Sequence, residues 1–289
     1  MPIIRTHSSI ISGSGPDAAA TFTGIPSDPR STMSNEEFRI GTQLRLGLPL
    51  ASYHNQPHAP CPHGCRHPQT LETVKVRYGW HLVSDCRKAN QGKKSHKDIE
   101  SILIHYFNTY THITATKAKP FPNGQVADIL LSGITTIDNP TAKNWHIDVT
   151  STNPLGATNQ DLKNRNALGR QPSPSEHDPR NDILVSAAWA ENKKHAKYDN
   201  LCAAAGTIFQ PFALETTGGH GASTKAVYYL FNKHLRDLGV PGEALKRKLM
   251  KDISFALRRG TIAQVTTALD AAQRAAEAEL TVNEVGLAW

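Results

Sequence analysis

Apolar and polar positions follow two different periods along this chain. Short apolar runs at 126–131 and 146–152, each with one acid, are typical of buried strands. The segments 93–110 and 182–206 repeat their apolar residues every three or four positions, which predicts amphipathic helices. A third apolar run at 207–215 predicts another strand, so strand, strand, helix and strand follow one another. This order predicts an α/β fold in which helices flank a mixed sheet.

The two ends of the chain differ from this centre. The first residues are rich in Ser, Gly, Pro, Thr and Ala without any period, which predicts disorder. Ser34 and Glu37 form a capping box that opens a short helix. The C-terminal part predicts three helices, at 223–239, 242–260 and 261–279.

These patterns divide the chain into four parts. The first two are a disordered tail, 1–33, and a short helix with a cysteine-bearing segment, 34–92. An α/β core, 93–222, and the C-terminal helices, 223–289, follow. At 289 residues the chain is long enough to bury a sizeable core in one or two compact units.

Two carboxylates interrupt the first two predicted strands, at Asp128 and Asp148. The connection between the strands contains the turn signal Asn139-Pro140, so an antiparallel hairpin would bring the two acids together. Two such acids repel unless a hard divalent cation, Mg²⁺ or Mn²⁺, holds them. Glu215 ends the third strand, where an acid is more often solvated than a further metal ligand.

The helix at 182–206 carries charge on its apolar face. On a helical wheel, Glu191 and Tyr198 share the buried stripe, and Lys194 lies within about 60° of Glu191. Lys193 points the opposite way and Lys197 is intermediate. Because a charge on a core face is costly unless paired, Lys194 is the lysine expected beside the two acids.

Four further residues have the spacing of a zinc site. Cys61-x3-Cys65 and His81-x4-Cys86 supply two close pairs of ligands, as in small tetrahedral zinc sites. Three other histidines are alternative ligands: His58, His63 and His67. The plain alternative is unrelated free cysteines beside a surface histidine.

Charge and hydropathy limit the classes of partner. The formal net charge is +7, which favours an anionic partner, most commonly nucleic acid. No window approaches 18 uninterrupted apolar residues, and the N-terminus lacks the apolar core of a signal peptide. We therefore expect an intracellular protein without a membrane partner.

Two basic regions are candidate nucleic-acid contacts. The helix at 93–110 begins with Lys93, Lys94 and His96, with Ser95 as its expected cap; these side chains contact phosphate or simply form a solvated helix end. His96 is expected to be structural or phosphate-contacting rather than catalytic. The long polar loop at 151–181, for which disorder is the alternative, supplies the others: Lys163, Arg165 and Arg170.

The combined order of these motifs resembles a known family. Ala127-Asp128, Asp148-Val149-Thr150 and Lys194-x-x-Lys197-Tyr198 are similar to the pattern of the restriction-like, PD-(D/E)xK endonuclease of non-LTR retrotransposon polyproteins. That family usually has proline where Ala127 stands here. A Cys-Cys-His-Cys zinc knuckle and a histidine-led helix precede the endonuclease in the family, as Cys61 to His96 do in this chain.

The resemblance implies a restriction-endonuclease-like core between a zinc knuckle and C-terminal helices. It implies a Mg²⁺-dependent DNA endonuclease in which Asp128 and Asp148 hold the metal and Glu191 is an occasional ligand. Lys194 would act on the attacking water, with Lys197 and Tyr198 in support. The implied partners are DNA, an RNA template and a reverse transcriptase, in the nucleus.

Two other classes of function remain open. In the first, the chain is a catalytically inactive remnant that binds nucleic acid through the zinc knuckle and the basic helices. In the second, it is a zinc-stabilised intracellular protein without either activity. A plasmid-nicking assay beside a binding assay separates these alternatives.

Overall fold

A computed structural model of the protein describes residues 32–46, 48–50, 61, 64–65, 82–83, 86, 92–136, 139–153 and 185–286. These residues form a mixed α/β structure with one four-stranded sheet. The elements are α1 (Asn35–Leu46), α2 (Gly92–Tyr110), β1 (Thr114–Lys117), β2 (Ile129–Thr136), β3 (Asn139–Thr152), α3 (Val185–Ala204), β4 (Ile208–Glu215), α4 (Ala222–Asp237) and α5 (Gly242–Gly286). The predicted order of strand, strand, helix and strand is confirmed at β2, β3, α3 and β4.

The sheet has the strand order β1-β2-β3-β4. The first two pairings are antiparallel, and the predicted hairpin of β2 and β3 is confirmed, with Ile129 opposite Ile147. β3 and β4 run parallel, and the connection between them contains α3, as parallel neighbours require a long crossover. Asn139 and Pro140, predicted in the turn, begin β3, where a proline is tolerated.

The alternation of β3 separates two packing layers. Ile147 and Val149 enter the main core, which side chains of α2, α4 and α5 complete. The residues that alternate with them, His146 and Asp148, face the side of α3. The Phe121 ring lies 4.8 Å from the His146 ring and 6.2 Å from the ring of Tyr198 in α3. Asp148 is therefore on the side of the sheet that α3 covers.

The apolar stripe predicted for α2 is confirmed, because Ile99, Leu103, Tyr106 and Phe107 are all buried in the main core. The predicted cap at Ser95 is wrong. The helix begins at Gly92, so Ser95 lies inside it and is buried. The capping box of α1 is confirmed by both of its hydrogen bonds, 2.7 and 3.1 Å long, which join Ser34 and Glu37.

The last two predicted helices form one continuous helix, α5, so the predicted break at Gly260 is wrong. Gly260 is needed for close packing: a Cβ there would overlap the Cβ of Ser95 and lie 2.7 Å from its hydroxyl oxygen. The continuity of α5 has a structural consequence. Its Ile253 packs in the main core, while Ile262 packs with α1 in a second core.

Replacing Gly260 by Ala is expected to destabilise the protein. The new methyl group meets the Cβ of Ser95, which cannot rotate away, so overpacking at about 1–3 kcal/mol outweighs a helix-propensity gain of about 1 kcal/mol. Denaturant unfolding measures the change. In a double-mutant cycle with Ser95→Gly, the two substitutions should couple by roughly 1 kcal/mol, and additive costs would contradict this account.

Candidate functional site

Asp128 and Asp148 meet where β2 begins and β3 nears its end. The backbone N–H of Asp128 donates to the carbonyl of Ile147 over 2.9 Å, which continues the ladder of the two strands. The N–H of Val149 donates to Oδ2 of Asp128 over 2.6 Å. Asp148 is buried, with 4% of its surface exposed. The hairpin thus places both carboxylates side by side at one point of the sheet.

Lys194 reaches this point from α3. Its Nζ lies 2.5 Å from Oδ2 of Asp148, and both side chains are largely buried. Lys193 is exposed, and its ammonium lies 4.1 Å from the centroid of the Trp189 ring. A charge-assisted contact this short compensates a carboxylate that burial would otherwise destabilise. The structure therefore brings together the acid and the lysine that the helical wheel singles out.

Tyr198 and Lys197 form a second contact on α3. The hydroxyl of Tyr198, which is buried, donates to the carbonyl of Val126 over 2.6 Å. Lys197 is exposed, and its Nζ donates to the Tyr198 oxygen over 2.7 Å. Burial raises the pKa of Tyr198, and the nearby Asp148 carboxylate adds to this effect. The phenol accordingly stays protonated and anchors α3 to the chain just before β2.

Glu191 contacts the start of a different helix, α4. Its Oε1 accepts the N–H of Ser223 over 2.8 Å, at the start of α4. Gly221 is the N-cap of that helix and has no side-chain oxygen, so Glu191 supplies the acceptor that a helix start requires. Burial raises the pKa of Glu191, whereas the backbone hydrogen bonds lower it. The carboxylate proposed above as an occasional metal ligand is thus occupied as a helix cap.

His96 lies beside Asp128. Its Nε2 is 3.0 Å from Oδ1 of Asp128, and this hydrogen bond raises the pKa of His96. The side chains of Lys93 and Lys94 lie outside the described residues. The described residues also exclude Lys163, Arg165 and Arg170 entirely. Their predicted nucleic-acid contacts stay predictions.

Glu100 is a site residue that sequence reasoning missed. It is buried one helical turn after His96, and Oε1 of its carboxylate lies 3.1 Å from the exposed Lys117. The available signal was an acid on the apolar stripe of α2, four residues after a histidine. Glu215, expected to be solvated, is also buried, and its Oε1 accepts the N–H of Ala187 over 3.3 Å.

Three cysteines form a candidate metal-binding group near α5. The sulfur of Cys86 lies 3.8 Å from that of Cys61 and 3.7 Å from that of Cys65. Sulfur ligands about 2.3 Å from a tetrahedral zinc ion are about 3.8 Å apart, so the spacing is compatible with zinc. His81 and the alternative ligands His58, His63 and His67 lie outside the described residues.

The environment of the cysteine group supports a structural role. Burial, with hydrogen bonds to its two neighbours, raises the pKa of Cys65 to about 12, so without a cation it stays a thiol. Cys61 and Cys86 are buried in the second core beside Ile262 and Val265 of α5. A bound metal would therefore order this segment against the C-terminal helix.

No protein-family model and no curated protein with which the sequence was compared matches this chain. The resemblance to retrotransposon endonucleases accordingly depends on the quoted motifs alone. None of the helices in the described part of the chain is long and apolar enough to cross a membrane.

Cys65→Ser is expected to lose zinc and to lower the melting temperature, because a structural metal contributes to folding free energy. Elemental analysis of freshly purified protein should find about one zinc per chain in the wild type and less than half of that in the variant. Cys202→Ala is the matched control, since Cys202 is buried in a separate cluster with Tyr198 and Phe209. A wild-type protein free of zinc would contradict the assignment.

Proposed function

We propose that this chain is a metal-dependent DNA endonuclease that nicks target DNA for a retrotransposon-like element. The observation that carries the proposal is the contact of 2.5 Å between Lys194 and Asp148, beside Asp128, which directly precedes the neighbouring strand β2. Two acids on paired strands and a lysine on the following helix resemble the restriction-like, PD-(D/E)xK core. The order β2, β3, α3 and β4 supports that finer fold assignment.

Asp128 and Asp148 would hold the divalent cation, Mg²⁺ or Mn²⁺. The donor set fits, because carboxylate oxygens on a rigid sheet are the ligands that hard cations prefer. When bound, the cation supplies Lewis acidity for phosphodiester hydrolysis. The hairpin holds both acids in register before any substrate arrives, so ordering them costs little during the reaction.

Lys194 has the position of the group that acts on the attacking water. Its ammonium is held by Asp148, so it can orient that water and stabilise the negative charge that develops on the phosphate. Lys197 is exposed and suits contact with the DNA backbone. Tyr198 fixes α3 through its hydrogen bond to Val126.

The zinc segment would be a nucleic-acid contact beside the catalytic core. In this proposal His81 completes the ligand set of Cys61, Cys65 and Cys86. The net charge of +7 suits an anionic partner such as DNA. An RNA template and a reverse transcriptase are the further partners that the resemblance implies, in the nucleus.

One observation favours a second function, an inactive nucleic-acid-binding remnant. Lys194 neutralises Asp148 directly, and His96 contacts Asp128, so both acids have cationic or hydrogen-bonding partners without a metal ion. A pocket stabilised in this way keeps its fold after activity is lost. Nicking separates the two functions, since the remnant would bind DNA without cutting it.

The test is a nicking assay on supercoiled plasmid, with Mg²⁺ or Mn²⁺, beside a DNA-binding assay. Wild-type protein should convert the plasmid to the open circular form, and chelation of the cation should stop the reaction. Asp128→Asn should bind DNA and cut it at least about 10²-fold more slowly. DNA binding without nicking by the wild type would support the inactive remnant. The absence of both binding and nicking would support the third class, a zinc-stabilised protein without either activity.

Lys194→Ala should lower the nicking rate by roughly 10²-fold or more while DNA affinity stays nearly unchanged, because the lysine acts mainly in the transition state. Lys197→Ala should weaken binding, reduce its salt dependence by about one phosphate contact, and keep nicking at saturating protein.

Lys193→Ala is the matched control for both variants, because Lys193 is exposed on the same helix and faces Trp189. Melting temperatures should accompany the rates, since Lys194→Ala leaves the buried Asp148 without its cation. The assignment is reversed if Lys197→Ala abolishes nicking at full DNA occupancy while Lys194→Ala cuts normally.

A further inference from the structure

A second group of potential ligands surrounds Asp128. Nε2 of His96 lies 3.0 Å from Oδ1 of Asp128, and Glu100 follows His96 by one turn of α2. One ligand atom from each of these three side chains lies within 4.8 Å of the other two. Two helix residues and one residue at a strand start therefore converge on a small volume.

The distances suit a single cation. Adjacent ligands about 2.1 Å from an octahedral ion are about 3.0 Å apart, and opposite ones about 4.2 Å. His96 and Asp128 have the separation of adjacent ligands, and the upper limit of 4.8 Å for Glu100 exceeds the second distance by about 0.6 Å. The side chains of His96 and Asp128 are 33% and 21% exposed, which leaves an ion a path from solvent.

The charges of the group favour a cation as well. Glu100 has only 9% of its side chain exposed and lies close to a second carboxylate, an arrangement that costs free energy unless positive charge compensates it. Lys117 contacts Glu100, but its side chain is 77% exposed, so this ion pair contributes little. Lys194 is engaged with Asp148.

We propose that His96, Glu100 and Asp128 hold a divalent transition-metal cation of the Mn²⁺ type. An imidazole nitrogen with two carboxylate oxygens favours such ions over Mg²⁺, which prefers oxygen ligands. The hydrogen bond from Val149 to the other oxygen of Asp128 orients the shared carboxylate. The role of this ion in cleavage rests on the proposed function, but its binding does not.

The test uses the full chain carrying one zinc per molecule, titrated with Mn²⁺ and followed by electron paramagnetic resonance. We expect one Mn²⁺ per chain with nitrogen coupling from an imidazole, retained in excess Mg²⁺. His96→Ala should lose that coupling and bind Mn²⁺ at least roughly tenfold more weakly. Glu100→Gln should weaken binding similarly but keep the coupling.

Two residues of α2 that are exposed provide matched controls, His105→Ala and Asp98→Asn, and both should leave Mn²⁺ binding unchanged. Melting curves show whether each variant folds, and His96→Gln replaces His96→Ala if the smaller side chain prevents folding. Unchanged affinity and coupling in a folded His96 variant overturn the proposal, as does full displacement of the coupled Mn²⁺ by Mg²⁺.

The same experiments distinguish this proposal from the nuclease assignment. Mn²⁺ binding that depends on His96, in a protein that cuts no DNA, supports the cation site and contradicts the proposed function. Nicking by a protein whose Mn²⁺ affinity and nitrogen coupling survive His96→Ala supports the nuclease and removes His96 from the metal.

Discussion

The structure depends on compensating two neighbouring carboxylates at the junction of β2 and β3. Asp148 is buried and Asp128 lies beside it, so their repulsion would oppose the pairing of the two strands. Two helices provide the compensation. α3 contributes Lys194 to Asp148, and α2 contributes His96 to Asp128. The acids thereby fix the relative positions of the sheet and both helices.

The remaining contacts of α3 follow from the same constraint. The ion pair with Asp148 requires Lys194 to face the sheet, and the hydrogen bond from Tyr198 to Val126 favours the same orientation of the helix one turn later. Glu191, about one turn before Lys194, ties α3 to the start of α4. The helix is therefore anchored at three points by polar groups, whereas α2 is anchored chiefly by its apolar stripe.

α5 joins the main core to the cysteine segment. One part of this helix packs in the main core with α2, and another packs with α1, Cys61 and Cys86. Gly260 lies between these parts, where α2 approaches so closely that a side chain does not fit. The cysteine group and the helix that carries His96 and Glu100 therefore pack against the same helix.

The amino-acid sequence by itself determined the local elements and much of the candidate site. The apolar periods identified β2, β3, α3 and β4, and the wheel distinguished Lys194 from Lys193, because helical and strand periodicities are properties of neighbouring residues. The spacing of the cysteines also indicated the group that the structure brings together. These inferences needed only short-range geometry.

Tertiary structure alone decided which distant residues meet. His96 and Glu100 reach Asp128 from 32 and 28 positions away along the chain, Glu191 caps a helix that starts 31 positions later, and Gly260 packs on Ser95 instead of ending a helix. Such contacts depend on how helices cross the sheet, which residue periodicity does not specify. The physical reason is that burial and pairing energies arise only after distant segments pack.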